Sequence, residues 1–293
     1  MVEIPGRSAG GLAPRNDEPM TTTSNGVASM LIVQLSDLHL CDEGALYNGV
    51  VSTNDMARRA VAQVNALAPA PDLVLLTGDV TEHGTPSQYA VAHRILGELR
   101  APLYVMPGNH DDRDALRTAF AAHRYMPAEG PINFAVEGTP VRIVAIDVTV
   151  PGAHHGHADD ATLAWLSATL AKAPVAPTII AMHQPPFACG IPYLDPYRCM
   201  NPDALAAVIQ RHGHIERVVC GHVHRSMQRR WAGTLALTAP STATQIALDL
   251  GAGAKPASYL EPPGYLLHRW SAETGLMTHL VPIGEFAGPF PFA

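Results

Sequence analysis

From Met30 onward, short apolar runs alternate with amphipathic stretches, and this alternation restricts the chain to a layered α/β domain. The runs are LIVQLS (31–36), LVLLTG (73–78), PLYVMPG (102–108), VRIVAI (141–146), PTIIAMH (177–183) and RVVCGH (217–222). Each has the length of a strand, and their unbroken apolarity predicts strands covered on both faces. Between them the spacing predicts helices over 54–67, with Val61, Val64 and Leu67 on one face, and over 86–99, with Val91, Ile95 and Leu99. Thr85 is the expected N-cap of the second, with Pro86 at its first position. Two more helices are expected over 160–170 and 202–212, the latter capped by Asn201. After His224 the pieces MQRRWAG, TLALTA, YLLHRW and LMTHLV predict antiparallel strands that complete the sheet.

The 293 residues, 47% hydrophobic and 15% charged, suffice for a sizeable core and lie far from a disordered composition. Three segments are expected. Residues 1–29, rich in Gly, Pro, Ser and Thr, with no basic start and no apolar h-region, read as a disordered tail. Residues 30–250 form the main domain, and 251–293 a C-terminal extension whose Tyr265, Leu266, Leu267, Phe286, Phe290 and Phe292 make it a candidate oligomerisation segment. A net charge of −7, from 19 Lys and Arg against 26 Asp and Glu, argues against nucleic acid and membrane surfaces as partners. No apolar run approaches the roughly 20 residues of a membrane helix. Cys41, Cys189, Cys199 and Cys220 lack CxxC spacing, which fits a reduced, cytoplasmic setting.

The chemistry sits at the strand ends. The first strand ends in Asp37 and His39, the second in Asp79, the third in Asn109, His110 and Asp111, the fifth in His183, and the sixth in His222 and His224. Five strands thus bring oxygen and nitrogen donors to one edge of a sheet, where α/β proteins build their sites. Imidazoles mixed with carboxylates suit Zn, Mn, Fe or Co better than Ca or Mg. If Asp79 bridges through its two oxygens, the other donors divide into two groups around ions about 3.5–4 Å apart.

In this order, D-x-H, G-D-x(4)-G, G-N-H-D, H and G-H-x-H, the motifs resemble the calcineurin-like metallophosphoesterase superfamily. The SDLHL start, the PLYVMPGNHDD segment, the His183-Gln-Pro-Pro turn and the EFAGP near the end are similar to the bacterial class III cyclic-nucleotide and glycerophosphodiesterases. The resemblance covers about residues 30–290 and implies a four-layer αββα sandwich with a small cap. It implies that Asp37, His39, Asp79 and His224 hold one metal, and Asp79, Asn109, His183 and His222 the other. His110 would reach the phosphate or the leaving oxygen, with Asp111 fixing its tautomer. The reaction implied is attack on phosphorus by hydroxide drawn from a water between the two cations. A small-molecule phosphodiester substrate and a homo-oligomer, dimer or higher, are implied as well.

Taken singly, each of these histidines reads as an ordinary structural residue, and G-N-H-D as an ordinary turn; only the ordered set points to metal. His154, His155 and His157 lie between glycines and read as a solvated loop that borders the cleft. The Pro-broken stretch 188–202 follows His183 as a long loop, and its Tyr193 and Tyr197 are candidate substrate-binding residues; Cys189 and Cys199 in it read as free thiols. The segment GDVTEHG has His83 where the protein-phosphatase form of the motif carries an arginine that grips a doubly charged monoester, which favours a singly charged diester. A metal-dependent nuclease is the alternative enzyme, disfavoured by the acidic balance. A non-catalytic scaffold would have lost ligands, and none is missing.

Overall fold

The computed structural model describes residues 28–292. The strands are β1 (Ser29–Leu35), β2 (Leu73–Thr77), β3 (Leu103–Met106), β4 (Phe134–Val136), β5 (Arg142–Ala145), β6 (Gly156–His157), β7 (Thr178–Ala181), β8 (Cys199–Met200), β9 (Ile215–Cys220), β10 (Met227–Trp231), β11 (Thr234–Thr238), β12 (Gln245–Ile246), β13 (Ser258–Tyr259), β14 (Gly264–Ser271) and β15 (Gly275–Pro282). The helices are α1 (Thr53–Asn65), α2 (Pro86–Leu96), α3 (Arg113–Ala119), α4 (Asp160–Ala171) and α5 (Pro202–Ile209).

The strands form two main sheets, as the four-layer resemblance implies, and the strands after His224 are shared between them rather than completing a single sheet. The first has the order β15-β14-β1-β2-β3 and the second β10-β11-β9-β7-β5-β4. Within the second sheet, burial alternates with the two-residue period of a strand. Ile143 and Ala145, Ile179 and Ala181, and Val219 join a core shared with the first sheet and with α1, α2 and α3. Val144, Ile180, Met182, Val218 and Cys220 join a separate core with Leu163, Leu166 and Leu170 of α4 and Leu205, Val208 and Ile209 of α5. Helices therefore cover the outside of each sheet and the two sheets face one another, giving four layers, αββα. Two short ribbons, β6 with β8 and β12 with β13, lie outside the two sheets.

α2 begins as expected, with Thr85 Oγ1 accepting the Gln88 N–H. Asn201 does not cap α5: it sits in the left-handed region at φ 62° and makes no capping bond. Its amide donates instead to the Ala158 carbonyl, tying the helix start to the neighbouring loop. α3 was not anticipated. Asp112 caps it by accepting the Asp114 and Ala115 N–H groups, and Arg113 reaches across to Asp147 beyond β5 (Nε–Oδ2 2.6 Å, Nη2–Oδ1 3.0 Å). That bidentate pair fastens the Asn109–Asp112 turn to the other sheet.

The expected tail falls outside the described residues except for its last two, and Ser29 already begins β1. The boundary expected at 250 does not hold either, because β14 pairs antiparallel with β1 along six residues and β15 continues the sheet. Only the segment after Pro282 extends beyond these strands. No helix among the described residues is long and apolar enough to cross a membrane.

One buried group ties stability to pH. Burial pushes the imidazole of His268 down to about 3, and the charge of Arg217 adds to the effect. The folded protein therefore keeps His268 neutral while the unfolded chain protonates it near 6.5, so stability is complete above 6.5 and falls as pH drops towards about 3. The expected loss is about 1.4 kcal/mol per pH unit in that window. Urea unfolding of metal-free wild type and His268→Gln should converge as pH falls from 7 to 5, because the variant lacks this titration.

Candidate metal centre

Asp37 and His39 follow β1, Asp79 follows β2 and Asn109 follows β3, whereas His183 follows β7 and His222 and His224 follow β9. The site is thus a seam where the ligand-bearing ends of two sheets meet. Asp37, His39, Asp79 and His224 converge with ligand atoms within 4.8 Å of one another, and so do Asp79, His183 and His222. Asp79 belongs to both groups. Asn109 joins the second, with Oδ1 3.2 Å from His183 Nε2 and 2.8 Å from His222 Nδ1.

The local backbone is built for this approach. Asp37, His39, Asp79, His222 and His224 all have positive φ, between 46° and 72°. Aspartate and histidine are among the non-glycine residues that tolerate this region, yet each such residue costs about 1 kcal/mol or more. Gly78 and Gly108 let the loops touch. A Cβ on Gly78 would strike His183 Nδ1 and lie 2.8 Å from the Gly108 nitrogen, and one on Gly108 would enter the Asp79 carboxylate.

The hydrogen bonds fix which ring atoms point inward. His39 gives its Nδ1–H to Glu82 Oε2 at 2.7 Å, and His224 gives its Nδ1–H to the Thr244 carbonyl at 2.9 Å. Both Nε2 lone pairs then face each other 3.0 Å apart. His183 likewise donates Nδ1–H to the Thr77 carbonyl at 2.7 Å, leaving Nε2 3.2 Å from both Asp79 Oδ2 and Asn109 Oδ1. Acceptors that face acceptors at such distances repel unless a cation lies among them. His222 adds a buried Nε2 with no protein partner. The residues therefore fit metal ions bound at both groups.

Without metal, protons are drawn in instead. Burial opposes the charged form of His183, but Asp79 and Asp37 outweigh it and lift the imidazole to about 9. Burial would raise Asp79, yet the charges of His183, His110 and His39 hold it well below the usual carboxylate range. For His39, burial is overcome by the Glu82 hydrogen bond and the Asp79 charge, and its pKa rises. Burial dominates at His222, with the charge of His183 adding, and pushes it well down; burial also lowers His224.

His110 stands beside the cluster, its ring packed edge-on against His39 with centroids 4.7 Å apart and its side chain 27% exposed. Asp111 does not orient it. The Asp111 carboxylate turns inward to accept from Val80 N (3.0 Å), Thr81 N (3.2 Å), Gly108 N (2.9 Å) and the Tyr89 hydroxyl (2.8 Å), bracing the two motif loops. The His110 ring is held instead by the Glu82 carbonyl, 2.9 Å from Nδ1. Glu82 was missed from sequence: its side chain orients His39 and its backbone orients His110. The available signal was a carboxylate three residues after Asp79, in a stretch that read only as a turn.

Of the two tyrosines, Tyr197 borders the site, packing on His154, which itself lies 3.3 Å from the Asn109 amide. Tyr193 packs beside Ile191, Leu194 and Val223, its hydroxyl directed to the Ala257 carbonyl. The His154 loop thus borders the cleft. All four cysteines are free thiols.

Comparison with known proteins agrees with this geometry. The family model for calcineurin-like phosphoesterase matches residues 30–226. The chain is 34% identical over 264 residues to the probable glycerophosphodiester phosphodiesterase of Arcobacter nitrofigilis, covering 90% of this chain and 97% of the relative. It is 31% identical over 223 residues to the 3′,5′-cyclic adenosine monophosphate phosphodiesterase of Pseudomonas aeruginosa, covering 75% and 79%. Among solved structures, a dimetal phosphatase from Danio rerio superimposes with a TM-score of 0.60 at 15% identity, over 87% of this chain and 99% of that one. With its motifs, its four layers and its paired ligand groups at one seam, the chain belongs to the calcineurin-like phosphoesterase family.

Proposed function

We propose that the chain hydrolyses small phosphodiesters, with glycerophosphodiesters and 3′,5′-cyclic nucleotides as the leading substrates. The observation that carries this reading is the kind of side chain at the site: imidazoles, carboxylates and one amide converge there. His83, at the place of the phosphatase arginine, is exposed and bonds through its backbone to Gln88. A singly charged diester needs less fixed positive charge than a monoester. The names of the relatives support the two substrate classes.

The donor set fits a pair of Fe, Mn, Zn or Co ions, which when bound supply Lewis acidity to the phosphoryl oxygens and a water acidified to near neutral pKa. The chain supplies the rest. Asp37, His39 and His224 define one group, Asn109, His183 and His222 the other, and Asp79 belongs to both. His110, its Nδ1–H committed to the Glu82 carbonyl, presents Nε2 to the substrate; as the imidazolium it gives the Nε2 proton to the departing oxygen and is left neutral with Nδ1–H still on the carbonyl. Tyr197 and His154 form the rim that meets the non-reacting part of the diester.

The test is a turnover panel on metal-loaded protein: glycerophosphoethanolamine, cyclic AMP, a bis-aryl diester, an aryl monoester and single-stranded DNA. The diesters are expected to lead. Monoester preference would overturn the reading, and DNA cleavage with little small-diester turnover would replace it by a nuclease. The unpaired thiols support a reducing, cytoplasmic setting. Exposed Leu248, Leu250, Tyr259 and Leu260 support homo-oligomer formation, which light scattering measures.

A further inference from the structure

A directed chain of hydrogen bonds crosses the layer between the two sheets. It starts on β9, where Arg217 Nη1 donates to Thr278 Oγ1 of β15 at 3.1 Å. The Thr278 hydroxyl lies 2.8 Å from His268 Nδ1 on β14, and His268 Nε2 lies 3.1 Å from Gln34 Oε1 on β1. Gln34 Nε2 then donates to the Cys220 carbonyl of β9 at 2.9 Å and to Thr77 Oγ1 of β2 at 3.0 Å. The path leaves β9 at Arg217 and returns to it at Cys220, after passing through β15, β14 and β1.

Its polarity is forced from the carbonyl end. A guanidinium only donates and a carbonyl only accepts. With the Gln34 amide nitrogen on the Cys220 carbonyl, Oε1 faces His268, which must donate from Nε2; in the neutral ring Nδ1 then accepts, and the Thr278 hydroxyl, which takes the Arg217 N–H on a lone pair, donates to it. Turned over, the amide would set Oε1 against the Cys220 carbonyl and lose its bonds on both sides. Gln34 and His268 are buried, so such losses are not made good by solvent.

The position of this chain matters as much as its direction. Gln34 lies three residues before Asp37, Thr77 two before Asp79 and Cys220 two before His222. One carboxamide thus joins the ends of three strands, from two sheets, that lead directly into the metal centre. The connection continues to a fourth ligand: Thr77 Oγ1 meets Ser36 Oγ at 2.9 Å, and the Thr77 carbonyl receives both Ser36 Oγ (3.3 Å) and His183 Nδ1 (2.7 Å). Apolar packing between sheets is non-directional and sets no fixed register; hydrogen bonds across the layer do.

We infer that Gln34 and His268 are positioning residues for the metal centre: the Gln34 amide sets the spacing of the ligand-bearing ends of β1, β2 and β9, and His268, in the tautomer that accepts from Thr278 and donates from Nε2, holds the direction of that amide. This rests on the reading of the site as a two-metal centre.

The experiment compares Mn²⁺ binding to wild type, His268→Leu, His268→Gln and Ile143→Ala by titration calorimetry, together with the visible absorption of the cobalt-loaded proteins. Glutamine can donate to Gln34 and accept from Thr278; leucine can do neither. Ile143→Ala opens an apolar cavity in the same layer on β5, which carries no ligand. His268→Leu is expected to bind the weaker ion about 10- to 100-fold less tightly and to shift the cobalt spectrum, whereas His268→Gln and Ile143→Ala stay within about threefold of wild type. If His268→Leu fails to fold, Thr278→Val against Thr278→Ser makes the same comparison, because valine cannot donate to Nδ1. Wild-type affinity in the leucine variant, or in Thr278→Val where that pair is used, would overturn the inference, as would equal weakening in Ile143→Ala. Wild-type protein that binds fewer than two ions per chain would overturn the two-metal reading and this inference with it.

Discussion

Asp79→Asn is expected to lower kcat/KM on phosphodiesters by about 10³-fold or more, about 4 kcal/mol of transition-state stabilisation, and to cut the bound metal from two ions per chain to one. The reason lies in how the two carboxylate oxygens are used. Oδ1 accepts the His110 N–H at 2.9 Å, while Oδ2 lies 3.2 Å from His183 Nε2 and 3.7 Å from His39 Nε2, between the two ligand groups. An asparagine that keeps the bond to His110 places an NH₂ group where the second oxygen stood, with its hydrogens facing any cation there. Reversing the amide instead sets NH₂ against the His110 N–H. Neither orientation gives a bridging anion. Elemental analysis of the purified variant, read beside its steady-state kinetics, tests this. Two retained ions and wild-type turnover would show that Asp79 does not bridge.

His110→Ala should lower kcat by about 10²- to 10⁴-fold on a diester that expels an alkoxide, but far less on one that expels a nitrophenolate. An alkoxide leaves only with a proton, whereas nitrophenolate leaves without one. With Nδ1 held by the Glu82 carbonyl, Nε2 is the ring atom free to supply it. A merely structural role for His110 would predict equal losses on both substrates, since the same phosphoryl group sits between the same ligands. The ratio of the two losses is the quantity to measure, with metal content confirmed unchanged.

The parts of the fold legible in the sequence were those with a local signal. The six parallel strands and four helices announced themselves through apolar run length, helical spacing and Pro at the first helical position. α3 did not, because its seven residues follow the metal motif directly and its capping Asp112 read as part of that motif. The division into two sheets was legible only through the resemblance carried by the motifs, not through the local pattern. Strands buried on both faces, such as β5 and β7, show no polar alternation, so nothing local says that Ile143 and Val144 face different cores. The candidate site was legible as a set of donors because the motifs keep their order, but the groups that orient those donors were not. Glu82 touches His39 across 43 residues, and His268 reaches Gln34 across 234. Asp111 shows the converse error: adjacency to His110 suggested a contact that the turn prevents, because its carboxylate is consumed by backbone N–H groups.

Five candidate ligands hold a backbone conformation that glycine would hold at less cost. Replacing any of them by glycine removes a donor and relieves local strain in one step, by about 1 kcal/mol per position. At these positions glycine should therefore yield a more stable inactive protein than alanine, which deletes the same donor and keeps the strain. The backbone that aims these side chains inward is thus held in place by the chemistry it serves and not by the stability of the fold.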